Sequence, residues 1–584
     1  MTLRTPSRAP AKWVRAATLA DVRAAGCRVV HVDGHTVALF DHGGNVWAVD
    51  NRCPHMGFPL DRGSVKDGIL TCHWHHARFD LQSGGTFDPW ADDVRSFPVE
   101  IRGGEVWVDV APGGEPRSHQ RMRVREGLEQ DLPLVLAKAV IHLLDAGDEP
   151  SGPLRQGLEF GTRYRRGGWG QGLTILTCMT NLLRHLAPED RARALHHGLA
   201  AVAEEADGAA PRFALRPLPQ VGADPPTLKR WFRGFIELRD AAGAERCIVS
   251  AVRAGADHRQ LADMLFAAAT DHRYLDVGHV LDFTNKALEA LDVAGWELAE
   301  PVLASLAPRY AAAARMEESN SWRNPVDLVA ILERAFERLD PVLESGRAKR
   351  GTWRGPDALV ETILGDDPQS AVDALLAAIR DGATEEQAAG TVVHAAALRI
   401  ARFPTTNEFG DWDTALHTFT FANAVHQGIL RAPSAELLRG VFDAAMSVWL
   451  DRFLNVPAVR LPETEARDAS VVIAELAELF DRQQQVSGAA EIVAAYLAGG
   501  SDAAPLCAAL GRALLREDRD FHTIQAVEAA FRQHELRPKT NAATHMLVAA
   551  ARYLAAHSPT VRAQGQTFDI ARRLHRGERL HEGA

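Results

Sequence analysis

The sequence predicts a multidomain protein: a small all-β domain followed by a large all-α domain with divergent helical repeats. Two observations carry this. Up to about residue 110, polar and apolar residues alternate in short runs separated by Gly and Asp. From 131 to 584 Ala, Leu, Arg and Glu dominate, and apolar residues recur at helical spacing. Between them, 111–130 opens on Ala111-Pro-Gly-Gly-Glu-Pro-Arg-Ser-His-Gln120 and reads as a linker. The expected organisation is a flexible N-terminus over 1–12, a β domain over 13–110, the linker, and an α-helical domain over 131–584.

In the β part, 27–32 and 36–40 alternate around a turn at Asp33-Gly34, and Gly43-Gly44 precedes a third run at 45–49. A further hairpin pattern joins 97–101 to 105–110 through Arg102-Gly103-Gly104. In the helical part, segments such as 187–198 and 361–380 carry helical periodicity between Asp, Pro and Gly punctuation.

Composition narrows the function. With 46% apolar and 24% charged residues in 584, the chain has the balance of a folded globular protein and ample material for a core. A net charge of -11 argues against nucleic-acid binding. No apolar run approaches the roughly 18 residues of a membrane span, and the N-terminus lacks the apolar core of a secretory signal. Six cysteines do not make a disulfide framework at this length, so the expected compartment is the cytoplasm.

The residues that carry chemistry are Cys53-Pro-His55 and Cys72-His-Trp-His75, each offering one thiolate and one imidazole from its own loop. Such pairs suit a metal held between two loops. Cys2His2 is also a common structural zinc set, but zinc fingers group two Cys and then two His. The alternating order in a Gly-rich β context fits a 2Fe-2S centre in which two Cys hold one iron and two His the other.

Over about 13–110 the chain resembles the Rieske ferredoxin family. The matching strings run from Ala48 to Leu60 around Cys-Pro-His-Met-Gly, from Gly63 to Leu81 around Cys-His-Trp-His-His, and through Ser83-Gly-Gly85. The resemblance implies a Rieske 2Fe-2S cluster with Cys53 and Cys72 on the buried iron and His55 and His75 on the outer one. No additional loop Cys supplies the disulfide of the high-potential branch, and His76-Ala77 stands where that branch has a hydroxyl, so the ferredoxin or oxygenase type is implied. The family usually has Pro at His73 and Gly at His76. Both are expected to be exposed loop residues, with Trp74 shielding the cluster loop.

The helical part lacks the strands of a Rieske oxygenase catalytic domain. Asp276-Val-Gly-His279 begins that family's iron motif, but Thr284 stands at the second His position. Three strings, from Asp276, Asp413 and Asp520, can be superposed: each has a His near an expected helix start (His279, His417, His522) and Asn285, Asn423 or Glu528 six residues later. These histidines are the candidate catalytic residues, set against the reading that they cap helices or satisfy buried polar groups. Ala415-Leu-His-Thr-Phe-Thr-Phe-Ala-Asn423 is similar to helical questin-oxidase-like proteins, which implies oxidation of polycyclic aromatic substrates. Gly167-Gly-Trp-Gly-Gln-Gly172 lacks dinucleotide-binding spacing. Cys27, Cys178, Cys247 and Cys507 stand apart, as buried thiols do.

The expected function is that of an iron-sulfur oxidoreductase. Its Rieske domain takes single electrons from a reductase or ferredoxin to a reaction in or beside the helical domain, such as oxygenation of a small hydrophobic or aromatic molecule. The alternative is a non-catalytic electron carrier or redox sensor whose helical half is a docking scaffold. No flavin or NAD module is present in the sequence to supply electrons internally.

Overall fold

The computed structural model describes residues 11–111, 117–219, 224–578 and 580. Most of the expected flexible N-terminus, 1–10, lies outside the described residues. The chain forms two compact units, one from Met1–Glu149 with Gln564–Ala584 and one from Pro150–Ala563.

The first unit begins with β1 (Trp13–Thr18), α1 (Leu19–Ala25), β2 (Cys27–Val32), β3 (His35–His42) and β4 (Asn45–Asp50), and the first alternating runs lie in β2, β3 and β4. Three short strands follow: β5 (Ser64–Lys66), β6 (Ile69–Thr71) and β7 (Arg78–Asp80). The expected strand at 97–101 is instead two, β8 (Ser96–Phe97) and β9 (Val99–Arg102), before β10 (Glu105–Asp109). Pro98, which has no N–H to give a ladder, separates them, and they serve different sheets.

These strands make three antiparallel sheets, in the orders β1-β10-β9, β2-β3-β4-β8 and β5-β6-β7. One apolar cluster, with Val37, Leu39, Phe97, Val106 and Val108, fills the space between the first two. A second, with Phe40, Val49, Leu60, Leu70 and Phe79, includes Cys53 and Cys72. The cysteines thus stand on a packed base, at the ends of β4 and β6.

The stretch expected as a linker is helical from residue 117: α2 (Arg117–Glu129) precedes α3 (Pro133–Asp145). Arg117, Arg121, Arg125 and Glu129 are exposed on α2, and one charged residue faces inward. Arg123 is buried and donates to Pro89 O and Ala91 O. The helix Ala563–His575 completes this unit, with Leu574 O accepting from Arg52.

Among its described residues the second unit has helices joined by loops and no strand. Three of its helices, His279–Ala294, Phe409–Arg431 and Phe521–Leu536, pack together. The residues six positions after each candidate histidine, Asn285, Asn423 and Glu528, are all buried. Glu289 and Glu528 surround the Lys286 ammonium at 3.0 and 2.5 Å. Cys178, Cys247 and Cys507 are buried thiols, whereas Cys27 is half-buried.

Candidate functional site

The two Cys-His loops repeat one backbone design. Cys53 N–H donates to Phe58 O, and Gly57 N–H donates back to Cys53 O. Cys72 N–H donates to Ala77 O, and His76 N–H donates back to Cys72 O. Both closing residues are left-handed, Gly57 at φ 82° and His76 at φ 63°. That is why the position favours glycine.

Each turn aims N–H groups at its own sulfur: His55 and Met56 toward Cys53, Trp74 and His75 toward Cys72. The hydrogen bond between the two thiols, with burial behind it, pushes the Cys53 thiol up. The same bond, against the cost of burial and with help from the Trp74 and His75 amides, lowers Cys72 to about 6. Two sulfurs in hydrogen-bond contact within a cradle of amide donors are prepared to be thiolate ligands.

The imidazoles face each other above them. The rings of His55 and His75 are 4.9 Å apart and nearly perpendicular. His55 Nδ1 is buried and has no hydrogen-bond partner. Such an orphaned lone pair is costly, and a metal bond would satisfy it. Burial, then Lys138 and His75, lower His55 to about 4, which keeps it neutral for ligation. Trp90 packs edge-on against His55 at 4.7 Å, and Trp74 covers His75 at 4.5 Å. His73 and His76 are exposed, as expected of loop residues. The donor set therefore fits a 2Fe-2S cluster: two buried sulfurs and two outer imidazoles.

Fold and loops define a β domain of the iron-sulfur type, and comparison with known proteins names it. The family model of the Rieske [2Fe-2S] domain matches residues 12–98. The p-cumate 2,3-dioxygenase system ferredoxin component of Pseudomonas putida is 35% identical over 85 residues, 14% of this chain and 72% of that protein. The naphthalene 1,2-dioxygenase system ferredoxin component of Pseudomonas putida is 29% identical over 101 residues, 17% of this chain and 97% of that protein. Among solved structures, the ferredoxin of carbazole 1,9a-dioxygenase from Nocardioides aromaticivorans IC177 is 31% identical. It covers 17% of this chain and 97% of that one, with a TM-score of 0.16. Through this domain the chain belongs to the Rieske [2Fe-2S] family; it is an electron-transfer domain with a Rieske-type 2Fe-2S cluster.

The helical unit brings the other three candidates together. One ligand atom from each of His279, His417 and His522 lies within 4.8 Å of the others. His279 and His522 stand at helix starts, but His417 does not. It lies more than two turns inside Phe409–Arg431, because that helix begins earlier, at a capping box formed by Glu408 and Asp411. His279 follows a left-handed run: Asp276 at φ 50°, Val277 at φ 49° and Gly278 at φ 93°. A Cβ on Gly278 would meet Phe421 Cβ at 2.8 Å, so glycine also permits the close approach to the His417 helix.

The nitrogens lie close enough for one imidazole N–H to donate to the next imidazole, or for the group to hold one ion. His279 Nε2 and His417 Nε2 are 3.1 Å apart. Two nitrogens each about 2.1 Å from one ion, at angles of about 90–109°, lie about 3.0–3.4 Å from each other. His417 makes a backbone hydrogen bond at Asp413. His522 Nδ1 is 3.9 Å from both Asp413 Oδ2 and Asp520 Oδ2, while its Nε2 is buried without a partner. Tyr553 O–H donates to Asp413 Oδ1 at 2.6 Å. Both carboxylates lie beyond hydrogen-bond reach of His522 Nδ1 and act on it only as nearby charge. Burial, reinforced by the neighbouring imidazoles, lowers His279 to about 2 and His417 to about 4, so both are neutral donors. Phe283 and Phe521 give the triad an apolar wall beside His279.

The sequence reading named all three histidines but neither carboxylate as a site residue. Asp413 and Asp520 were visible at the head of two of the superposed strings. It also missed Asp92 and Lys138, far from the motif, for which the sequence carries no signal. No helix among the described residues is long and apolar enough to cross a membrane.

Proposed function

We propose that the chain is an oxidoreductase in which Cys53, Cys72, His55 and His75 hold the Rieske cluster and single electrons pass from it to a redox metal centre in the helical unit. His279, His417 and His522 are the ligands of that second centre, with the Asp413 and Asp520 carboxylates beside His522. The observation that carries the reading is the convergence of three imidazoles from three helices, in a chain that also contains a one-electron carrier. Imidazole donors suit iron, copper or zinc, and the supply of electrons selects a redox-active ion.

The cluster supplies one electron at a time, at a potential raised by its two neutral ligands. A reductase or ferredoxin is the electron source. The substrate class is a small hydrophobic or aromatic molecule, a reading supported by the aromatic dioxygenase systems to which the similar ferredoxin components belong and by Phe283 and Phe521 beside the triad. Incorporation of one or both oxygen atoms would take two electrons and two protons per O2, which a cluster held by Cys53, Cys72, His55 and His75 would supply as two single electrons.

The test is reoxidation of the reduced cluster by O2 in the full chain, followed by its visible absorbance. The expected result is reoxidation several-fold slower in His417→Ala/His522→Ala than in the parent. Equal rates would contradict the reading and leave an electron carrier, the role named for the similar ferredoxin components.

A further inference from the structure

The outer half of the cluster loop is held from outside the family domain. Lys138, on α3, lies beyond residues 12–98, and its side chain is only 7% exposed. Its Nζ donates to Pro54 O at 2.6 Å, to His55 O at 3.1 Å and to Asp92 Oδ2 at 3.0 Å. All three ammonium hydrogens are thereby committed. Two go to the carbonyls of the loop that carries His55, and the third goes to the carboxylate that balances the charge.

Asp92 is gripped from a second side. Its Oδ1 accepts from Arg123 Nε on α2 at 3.0 Å, and Arg123 Nη2 donates to Pro89 O and Ala91 O. The segment so held, 89–92, includes Trp90, whose ring rests on His55. Both His55 and the ring beside it are thus fixed by two helices that the compared ferredoxin domain does not include.

A buried charge acts strongly at such range because little water screens it. A cation beside the cluster favours the reduced, more negative form and raises the reduction potential; an anion does the reverse. We propose that Lys138 and Asp92 form an electrostatic clamp that positions the His55 loop and sets the cluster's reduction potential. The fused helical segment thereby tunes the domain it follows. Lys138 is a positioning residue that acts through His55, so the proposal rests on the reading of His55 as a cluster ligand.

The test is the midpoint potential of the full chain in an EPR-monitored redox titration, with iron and sulfide content measured on each sample. Lys138→Met is expected to shift the potential negative and Asp92→Asn to shift it positive, with Lys138→Arg near the parent. Asp92 keeps Arg123 as a partner in Lys138→Met, so the segment retains an anchor. If Lys138→Met does not load its cluster, the sign of the Asp92→Asn shift decides. Parent potentials in loaded Lys138→Met and Asp92→Asn, or an Asp92→Asn shift to the negative side, would overturn the clamp. Failure of the ligand reading is seen separately, as full cluster content in His55→Ala.

Discussion

Gly57 and His76 occupy the same place in the two cluster loops. Each lies four residues after its cysteine, donates its N–H to that cysteine's carbonyl and has a positive φ. The second loop thus carries an imidazole where the backbone is best served by glycine. A side chain in the left-handed region costs about 1 kcal/mol. His76→Gly is therefore expected to raise stability by about 1 kcal/mol, read as a higher thermal midpoint at unchanged cluster content. A lower midpoint would show that the His76 ring makes contacts worth more than the backbone cost.

The ligand set makes a separate prediction. Cys53→Ser, Cys72→Ser, His55→Ala and His75→Ala are each expected to lose the 2Fe-2S absorbance and acid-labile sulfide, while the far-ultraviolet helical signal persists. A parent-like cluster spectrum in any one of them would remove that residue from the set.

Much of this was legible in the sequence, for identifiable reasons. Cys53 and His55, and Cys72 and His75, sit within two short loops, each pair two or three residues apart, so local order alone marks out the four donors. The break at Pro98 and the helix over Arg117–Glu129 were not legible. The first depends on which sheet accepts each half-strand; the second depends on Arg123 finding Pro89 and Ala91. His279, His417 and His522 stood out as residue types, but their convergence depends on how three distant helices pack.

The pair His394 and His545 adds a pH dependence. His394 Nε2 and His545 Nδ1 are 2.9 Å apart. Burial first, then His545, Arg537 and Arg402, lowers His394 from 6.5 to about 4, and burial with Arg402 lowers His545. The unfolded imidazoles take up protons below pH 6.5 and the folded ones resist, so their contribution is present above 6.5 and lost as pH falls toward 4. The slope of thermal midpoint against pH in this window is expected to flatten in His394→Gln/His545→Gln. An unchanged slope would place the titration elsewhere.

Lys286 holds the core of the helical unit by charge. Its ammonium is 1% exposed and faces Glu289 and Glu528, which also accept from Asn181. Lys286→Met would leave buried Glu528 without its cation and Glu289 with Arg532 alone, and is expected to cost about 3–5 kcal/mol, read from denaturant unfolding. Adding Glu528→Gln is expected to recover part of the loss. Additive losses would contradict the pairing.

The most direct test of two centres in one chain is metal and acid-labile sulfide content per chain on anaerobically purified protein, with EPR after dithionite. The account predicts two irons and two sulfides with a Rieske-type signal, together with one further metal ion. His417→Ala/His522→Ala should lose that ion and keep the signal. Two irons and two sulfides with no further metal in the parent, or a further metal that survives the double substitution, would contradict it.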